Sequence, residues 1–320
     1  MKGILAALMS SLFIICFMFA SGVPARADGE KLNVVTTIFP QYDFVREIAG
    51  DKAELTMLLR PGAESHSFDP TPRDIKKIAA ADIFIYVGGE SDDWARRILD
   101  SLTPDAREKI RIVSLMDLVD TVEEELVEGM REEAEENGEK SSDESEYDEH
   151  VWTSPKNARR ITSELMEIIC GLDKPNETFY RANAAGYMEK LDELDRTFED
   201  IVGGAKRRTI IFGDRFPFRY FVDAYGLDYY AAFPGCSTET EASAATLAFL
   251  INKINAENIP VVFYREFSNE NMANAICENT GAKSLLLHSC HNITRDEFEG
   301  GRTYLELMAQ NALNLREALN

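Results

Sequence analysis

The chain has 320 residues and a formal net charge of −22, with 56 acidic side chains against 34 lysines and arginines. Such a surface repels nucleic acid and anionic lipid and attracts cations. The length suits two medium domains, each able to bury a core of its own.

Residues 1–27 read as an export signal. Lys2 gives a positive start, residues 4–20 are almost wholly apolar, and Ala25-Arg26-Ala27 offers small residues before a cut. The mature chain then begins at Asp28 and works outside the cytoplasm, in the periplasm or at the cell surface. Cys16 lies in the apolar stretch, but Ile15 ahead of it is too large for a lipoprotein cleavage box. Soluble export is therefore the first reading and a retained N-terminal anchor the second. No later apolar run is long enough to span a bilayer.

Residues 33–39 are β-branched and apolar and predict a buried strand, followed by a helix over 40–50 that Gly50 ends. A second strand is expected over 53–59. Thr71 then caps a helix with Pro72 at its first position, running to about residue 80. Strands over 83–87 and 110–113 flank a helix over 92–102. Residues 121–149 break this alternation: they hold fourteen Asp or Glu against Arg131 and Lys140. A run so polar cannot bury enough surface to order itself, and it reads as a mobile loop, either a solvated spacer or a cation-gathering fringe beside His150.

Helices are expected over 155–170 and from 175 to about 203, the second ~42 Å long and able to span two domains. A second alternation follows, with strands over 209–212, 227–233, 260–264 and 284–287 and helices over 216–224, 242–254, 269–279 and 301–319. The fold class is α/β, two wound parallel-sheet lobes joined by one long helix: 28–174, the bridge 175–203, and 204–320. Cys170, Cys236, Cys277 and Cys290 permit two disulfides in an oxidising compartment, and no CxxC pair is present.

Only four histidines occur: His66, His150, His288 and His291. Imidazole is the commonest ligand for zinc-like ions. Ligands of wound sheets gather beyond the carboxyl ends of the strands, where His66, Asp214, Arg215, Arg265, Glu266 and His288 all fall. Facing edges put His66 and His150 on one wall and His288 on the other. Trp152 is expected to pack beside His150, Arg215 and Arg219 to pair with Asp214 or Glu266, and Glu239 and Glu241 to cap the helix that follows them.

The segments Val34-Val-Thr-Thr-Ile-Phe-Pro40, His66-Ser-Phe-Asp-Pro-Thr-Pro72, His150-Val-Trp-Thr-Ser-Pro-Lys-Asn-Ala158 and Tyr220-Phe-Val-Asp-Ala-Tyr-Gly226 resemble, in order and spacing, the solute-binding proteins that feed zinc or manganese to ABC importers. The resemblance implies two α/β lobes bridged by a long helix. It also implies that His66 and His150 are ligands, and that His288 stands where the family generally has its last ligand, an Asp. The third ligand aligns near Arg215, and guanidinium cannot ligate a cation. Asp214, His291, Glu266 or water is left to complete the shell. Where many zinc members carry a histidine-rich loop, this chain has its histidine-free acidic run.

Three imidazoles with one oxygen suit tetrahedral zinc, and manganese, which prefers more oxygen donors, is the alternative. The implied function is capture of a divalent metal and delivery to an ABC permease by a non-enzymatic protein, a monomer that binds no nucleic acid. An exported zinc hydrolase is the competing class, although no His-Glu-x-x-His pair is present. A metal-buffering or adhesion protein on the same fold is a third.

Overall fold

The computed structural model describes residues 30–64, 68–130, 147–235 and 242–320. The expected leader, His66, residues 131–146 of the acidic run, Cys236, and Glu239 and Glu241 with their expected capping role lie outside the described residues.

Each expected strand is present. The first half runs β1 (Leu32–Thr36), α1 (Phe39–Ala49), β2 (Ala53–Met57), α2 (Pro72–Ala79), β3 (Ile83–Tyr86), α3 (Asp93–Ser101) and β4 (Arg111–Ser114). Two helices follow, α4 (Pro155–Leu172) and α5 (Glu177–Gly203). The second half runs β5 (Thr209–Phe216), α6 (Arg219–Tyr225), β6 (Asp228–Pro234), α7 (Ala244–Glu257), β7 (Val261–Tyr264), α8 (Asn271–Thr280), β8 (Lys283–Leu286) and α9 (Tyr304–Leu319). The two sheets share one topology, β2-β1-β3-β4 and β6-β5-β7-β8, with every neighbouring pair parallel. Parallel neighbours need a crossover, and the helices that supply it cover the sheet faces.

Strand alternation sorts each sheet's side chains into two layers. Val34, Ile83 and Ile85 face inward, while Val35 and Phe84 turn to the outer layer with Ile78, Ile98 and Leu99 of α2 and α3. In the second lobe Phe212, Val261 and Phe263 face inward, and Ile211 and Val262 meet Leu250, Ile254 and Ile276 of α7 and α8. Both inward layers belong to one continuous core, threaded by Tyr180, Tyr187, Leu191 and Phe198 of α5. Composition suggested a core for each lobe; instead the inner faces share one, and only the outer layers are private. α5, 27 residues and ~40 Å long, packs on α1, α4 and α9 and so touches both halves.

Local chemistry explains the helix ends. Thr71 accepts from the Asp74 amide while the Asp74 carboxylate takes the Thr71 amide at 3.1 Å, with Pro72 behind the cap. Thr303 and Glu306 repeat this reciprocal pair at α9. Ser243 caps α7 by accepting from the Thr246 amide at 3.0 Å.

One element departs from the periodicity. β5 runs on to Phe216, through a register irregularity between Phe212 and Arg215, and α6 starts only at Arg219. Gly213 permits this: a Cβ there would lie 2.7 Å from Ala273 Cα and 2.8 Å from its nitrogen, against the backbone of α8. Asp214 and Arg215 are thereby carried in the strand and buried, rather than in a loop beyond its end.

Cys170, Cys277 and Cys290 are free thiols, so the two bridges that four cysteines permitted cannot both form. No helix among the described residues is long and apolar enough to cross a membrane.

Candidate metal centre

His150 sits just ahead of a tight turn, Val151–Thr153, that leads into α4. Its carbonyl accepts from the Thr153 amide at 3.1 Å and the Thr153 hydroxyl at 2.8 Å, so the backbone is fixed on one side. On the other, Asp148 Oδ1 accepts from the His150 amide at 2.7 Å and stands 3.2 Å from its Nδ1. A carboxylate there takes the Nδ1 proton and leaves the Nε2 lone pair for a cation. Burial works against protonation of His150, but Asp148, with Glu149 and Glu124, outweighs it and raises the imidazole's pKa. Asp148 and Glu149 are themselves buried, Glu149 accepting from the Ser91 amide at 2.9 Å. Burial also pushes the nearby Asp92 carboxyl up to about 6. This edge of the first lobe is a pocket of buried acids around one imidazole.

The chain passes close by on the far side at Gly235, where a Cβ would meet the Phe216 carbonyl oxygen at 2.9 Å and His150 Cε1 at 3.2 Å. Glycine leaves His150 room there.

From the second lobe, the loop after β8 brings His291 to His150, with ring centres 5.9 Å apart and planes at 74°. Two imidazoles on one tetrahedral zinc, each nitrogen about 2.1 Å from it, hold their ring centres about 5 Å apart. Trp152 packs against both rings, tilted at 5.5 Å from His150 and edge-on at 5.1 Å from His291. Its Nε1 donates to the Ser289 carbonyl at 2.8 Å, and its own carbonyl accepts from the Tyr304 hydroxyl at 2.8 Å. The tryptophan therefore ties the two histidine loops together. His291 also borders a cavity of about 20 Å³ with Thr37, Ser91 and Asp92, room for about one water.

His288 has a different environment. Asn311 holds its backbone at both ends, accepting from its amide at 2.8 Å and donating to its carbonyl at 2.7 Å. The Cys290 amide donates to His288 Nδ1 at 2.9 Å. A backbone N–H can only donate, so the neutral ring carries its proton on Nε2 and neither nitrogen keeps a free lone pair. Glu266 Oε2 approaches the same Nδ1 only to 3.7 Å, too far to compete.

The other carboxylate candidates are engaged locally. Glu266 accepts from the amides of Ser289 at 2.8 Å and His291 at 3.2 Å and from the Ser289 hydroxyl at 2.5 Å, and so shapes the loop. Asp214 accepts from the Arg215 amide at 2.7 Å and faces Arg265 Nε at 3.5 Å. Arg215 and Arg219 do not pair with Asp214 or Glu266 side chains as expected: Arg215 Nη1 lies 3.5 Å from Glu64, and Arg219 meets Glu125 and Asp223, each at 2.9 Å. The extended β5 aims these side chains away from the partners that a loop would have offered. Cys290 is fully buried, and burial pushes its thiol well above the usual range, against a thiolate ligand.

Among the described residues no group of three or more His, Cys, Asp and Glu is arranged to hold a metal, and His66 lies outside them. Of the two histidines after β8, His291 is the one whose ring the structure places beside His150. The signal available was the His-x-x-His spacing: Cys290 between them sits at φ +62°, which turns the chain and sends the two rings in different directions.

Comparison with known proteins agrees with this architecture. Residues 34–318 match the family model of zinc-uptake complex component A, periplasmic. The zinc-binding lipoprotein AdcA of Streptococcus pneumoniae is 31% identical over 303 residues, 94% of this chain and 58% of that protein, so the chain spans little more than half of that relative. The high-affinity zinc uptake system protein ZnuA of Bacillus subtilis is 30% identical, with 97% of each chain covered. Among solved structures, the metal-dependent lipoprotein YcdH of B. subtilis superposes with a TM-score of 0.75 at 27% identity, over 91% of this chain and all of the other. The Zn(II)-bound ZnuA-like domain of S. pneumoniae AdcA gives 0.72 at 27% identity, over 90% and 99%. With twin parallel sheets, a helix bridging them and a histidine pair at their seam, and with a family match over nearly the whole described chain, this protein belongs to the ZnuA family of zinc-uptake solute-binding components.

Proposed function

We propose that the chain captures zinc outside the cytoplasm in the seam between its lobes and hands it to an ABC permease. His66, His150 and His291 are the ligands of this reading, with water or a nearby oxygen completing a tetrahedron. The observation that carries it is the approach of the His150 and His291 rings to 5.9 Å, with Asp148 behind His150 to fix its tautomer. His288 is thereby moved from the ligand set to the support of the loop, since its Nδ1 accepts from Cys290. Asp214 and Glu266 likewise serve as structural carboxylates.

Relatives named as zinc-binding lipoproteins and zinc uptake proteins support zinc over manganese, and export over retention in the cytoplasm. A binding protein with no enzymatic step is the reading, because among the described residues Asp148, Glu149 and Asp92 hold backbone and imidazole groups beside the rings. The core shared by the two lobes supports a small rearrangement on binding rather than a wide hinge.

The test is metal content by elemental analysis and zinc affinity by competition with a chromogenic chelator. His66→Ala, His150→Ala and His291→Ala each lose most of the bound zinc, while His288→Ala keeps the wild-type stoichiometry. Full zinc loading of His150→Ala would refute this site.

A further inference from the structure

The described ends of the acidic run are held by the second lobe. Along residues 122–130, the Tyr229 hydroxyl donates to the Glu125 carbonyl at 3.3 Å and the Thr246 hydroxyl to the Gly129 carbonyl at 3.3 Å. Gly129, at φ +93°, lies against the Phe249 ring, where a Cβ would come within 2.6 Å, and Met130 is buried in the shared core. The chain returns at Tyr147, which forms an antiparallel bridge with Glu123, and the Asp148 amide donates to the Val122 carbonyl at 2.9 Å. His150 follows two residues later.

Tyr220 of α6 completes this junction. Its hydroxyl donates to the Asp148 carbonyl at 2.7 Å and accepts from the Val122 amide at 3.3 Å. With the Asp148 amide on the Val122 carbonyl, these bonds close a ring between one phenol and two backbone segments. Asp148 is therefore held by both of its backbone groups, one from its own lobe and one from the other. Tyr220 is 5% exposed and Asp148 1%, so water has little access to replace a lost bond. The neighbouring Phe216, Phe218 and Phe221 are buried in the same core as plain rings. Position 220 carries a hydroxyl where the backbone of Asp148 and Val122 comes within reach.

We infer that Tyr220 is a positioning residue of the zinc site: from the second lobe its hydroxyl fixes the Asp148 backbone, and with it the carboxylate that sets the tautomer of His150. The inference rests on the reading of His150 as a zinc ligand. Asp148 Oδ1 meets two donors of the same residue, the His150 amide at 2.7 Å and its Nδ1 at 3.2 Å. A short side chain satisfies both only while its own backbone stays in place. A shift there breaks the Nδ1 contact first, because it is the longer of the two. The proton is then no longer held on Nδ1, and the Nε2 lone pair is no longer reserved for the cation. Tyr220 works through Asp148, so its loss should show in the tautomer and in affinity while the ligands themselves remain.

The test compares wild type, Tyr220→Phe, Asp148→Asn and the double variant in the full chain. Zinc affinity is read by competition with a chromogenic chelator. The His150 tautomer is read by long-range nitrogen–proton NMR of the metal-free protein, at a pH where the ring is neutral. Tyr220→Phe is expected to weaken zinc binding about tenfold. Its His150 should change from a proton held on Nδ1 to a mixture of both tautomers. Because Tyr220 acts through Asp148, the double variant should lose no more than about twofold beyond Asp148→Asn alone. Tyr229→Phe loses a bond from the same segment at Glu125 and should stay within about twofold of wild type, which separates a loosened segment from a displaced Asp148. Wild-type affinity or a wild-type tautomer in Tyr220→Phe overturns the inference and leaves the zinc site standing. Losses that multiply in the double variant, or a Tyr229→Phe as weak as Tyr220→Phe, overturn it as well. Full zinc loading of His150→Ala overturns the zinc reading instead, and the tautomer still decides whether Tyr220 positions Asp148.

Discussion

The carboxyl edges of the two sheets have the same strand order and opposite electrostatics. Around His150 the first lobe gathers Asp92, Asp148 and Glu149, all buried. The matching edge of the second lobe presents Arg215 and Arg265, with Asp214 and Glu64 set against them. One topology can thus carry a cation-attracting wall and a wall where cationic side chains are already paired, because the fold positions strand ends without dictating what stands on them. In the proposed reading an incoming metal is drawn to the acidic wall, while the charges of the arginine wall already face carboxylates of their own.

Removing the residue that joins the two histidine loops should have the largest effect. Trp152 is fully buried between the two histidine rings and bonds the Ser289 carbonyl. Trp152→Ala is expected to cost about 3–5 kcal/mol in chemical denaturation. A loss under about 1 kcal/mol would mean the loops are joined by something else.

Next comes the pH dependence of the buried contact between α1 and α9. Asp43 of α1 accepts from the Tyr304 amide of α9 at 2.7 Å and pairs with Arg46. Burial raises its carboxyl from 3.8 to about 6, partly opposed by Arg46. The folded state therefore holds a proton that the unfolded state has lost between these values, and stability falls as pH rises from about 4 through about 6. The gap corresponds to roughly 3 kcal/mol. Asp43→Asn should flatten that part of the stability profile in urea melts; an unchanged slope would assign it elsewhere.

The contrast between the walls is tested by paired substitutions. Asp148→Asn, which loses the charge behind His150, should weaken zinc binding about 10–100-fold. Asp214→Asn on the other wall should change affinity less than about threefold, since its partners are the Arg215 amide and Arg265. Equal losses would erase the distinction. The smallest effect on zinc is expected from His288→Ala, which keeps the stoichiometry and costs about 1–2 kcal/mol of stability from the lost bond to the Cys290 amide.

Much of the architecture was legible in the chain itself. The β-branched runs at 33–39 and 83–87 became β1 and β3, and the Thr71-Pro72 cap opened α2, because these signals act over a few residues. Gly213 was less transparent: its close approach to Ala273 depends on where α8 lies, and that approach is what lets β5 run on and buries Arg215. The proposed site was legible in part. His150 was recognisable from its segment, whereas the choice between His288 and His291 depended on which way the loop turned at Cys290.

Composition, periodicity and the spacing of four histidines determined an acidic chain of two wound α/β halves with a long helix between them, because alternation and capping are written locally. Tertiary structure alone decided that both inner sheet faces share one core, that His291 reaches His150, and that Glu64 meets Arg215 and Arg265. Those pairings join residues 141, 151 and 201 positions apart, and only the packed sheets and α5 bring such distant positions within a few ångströms.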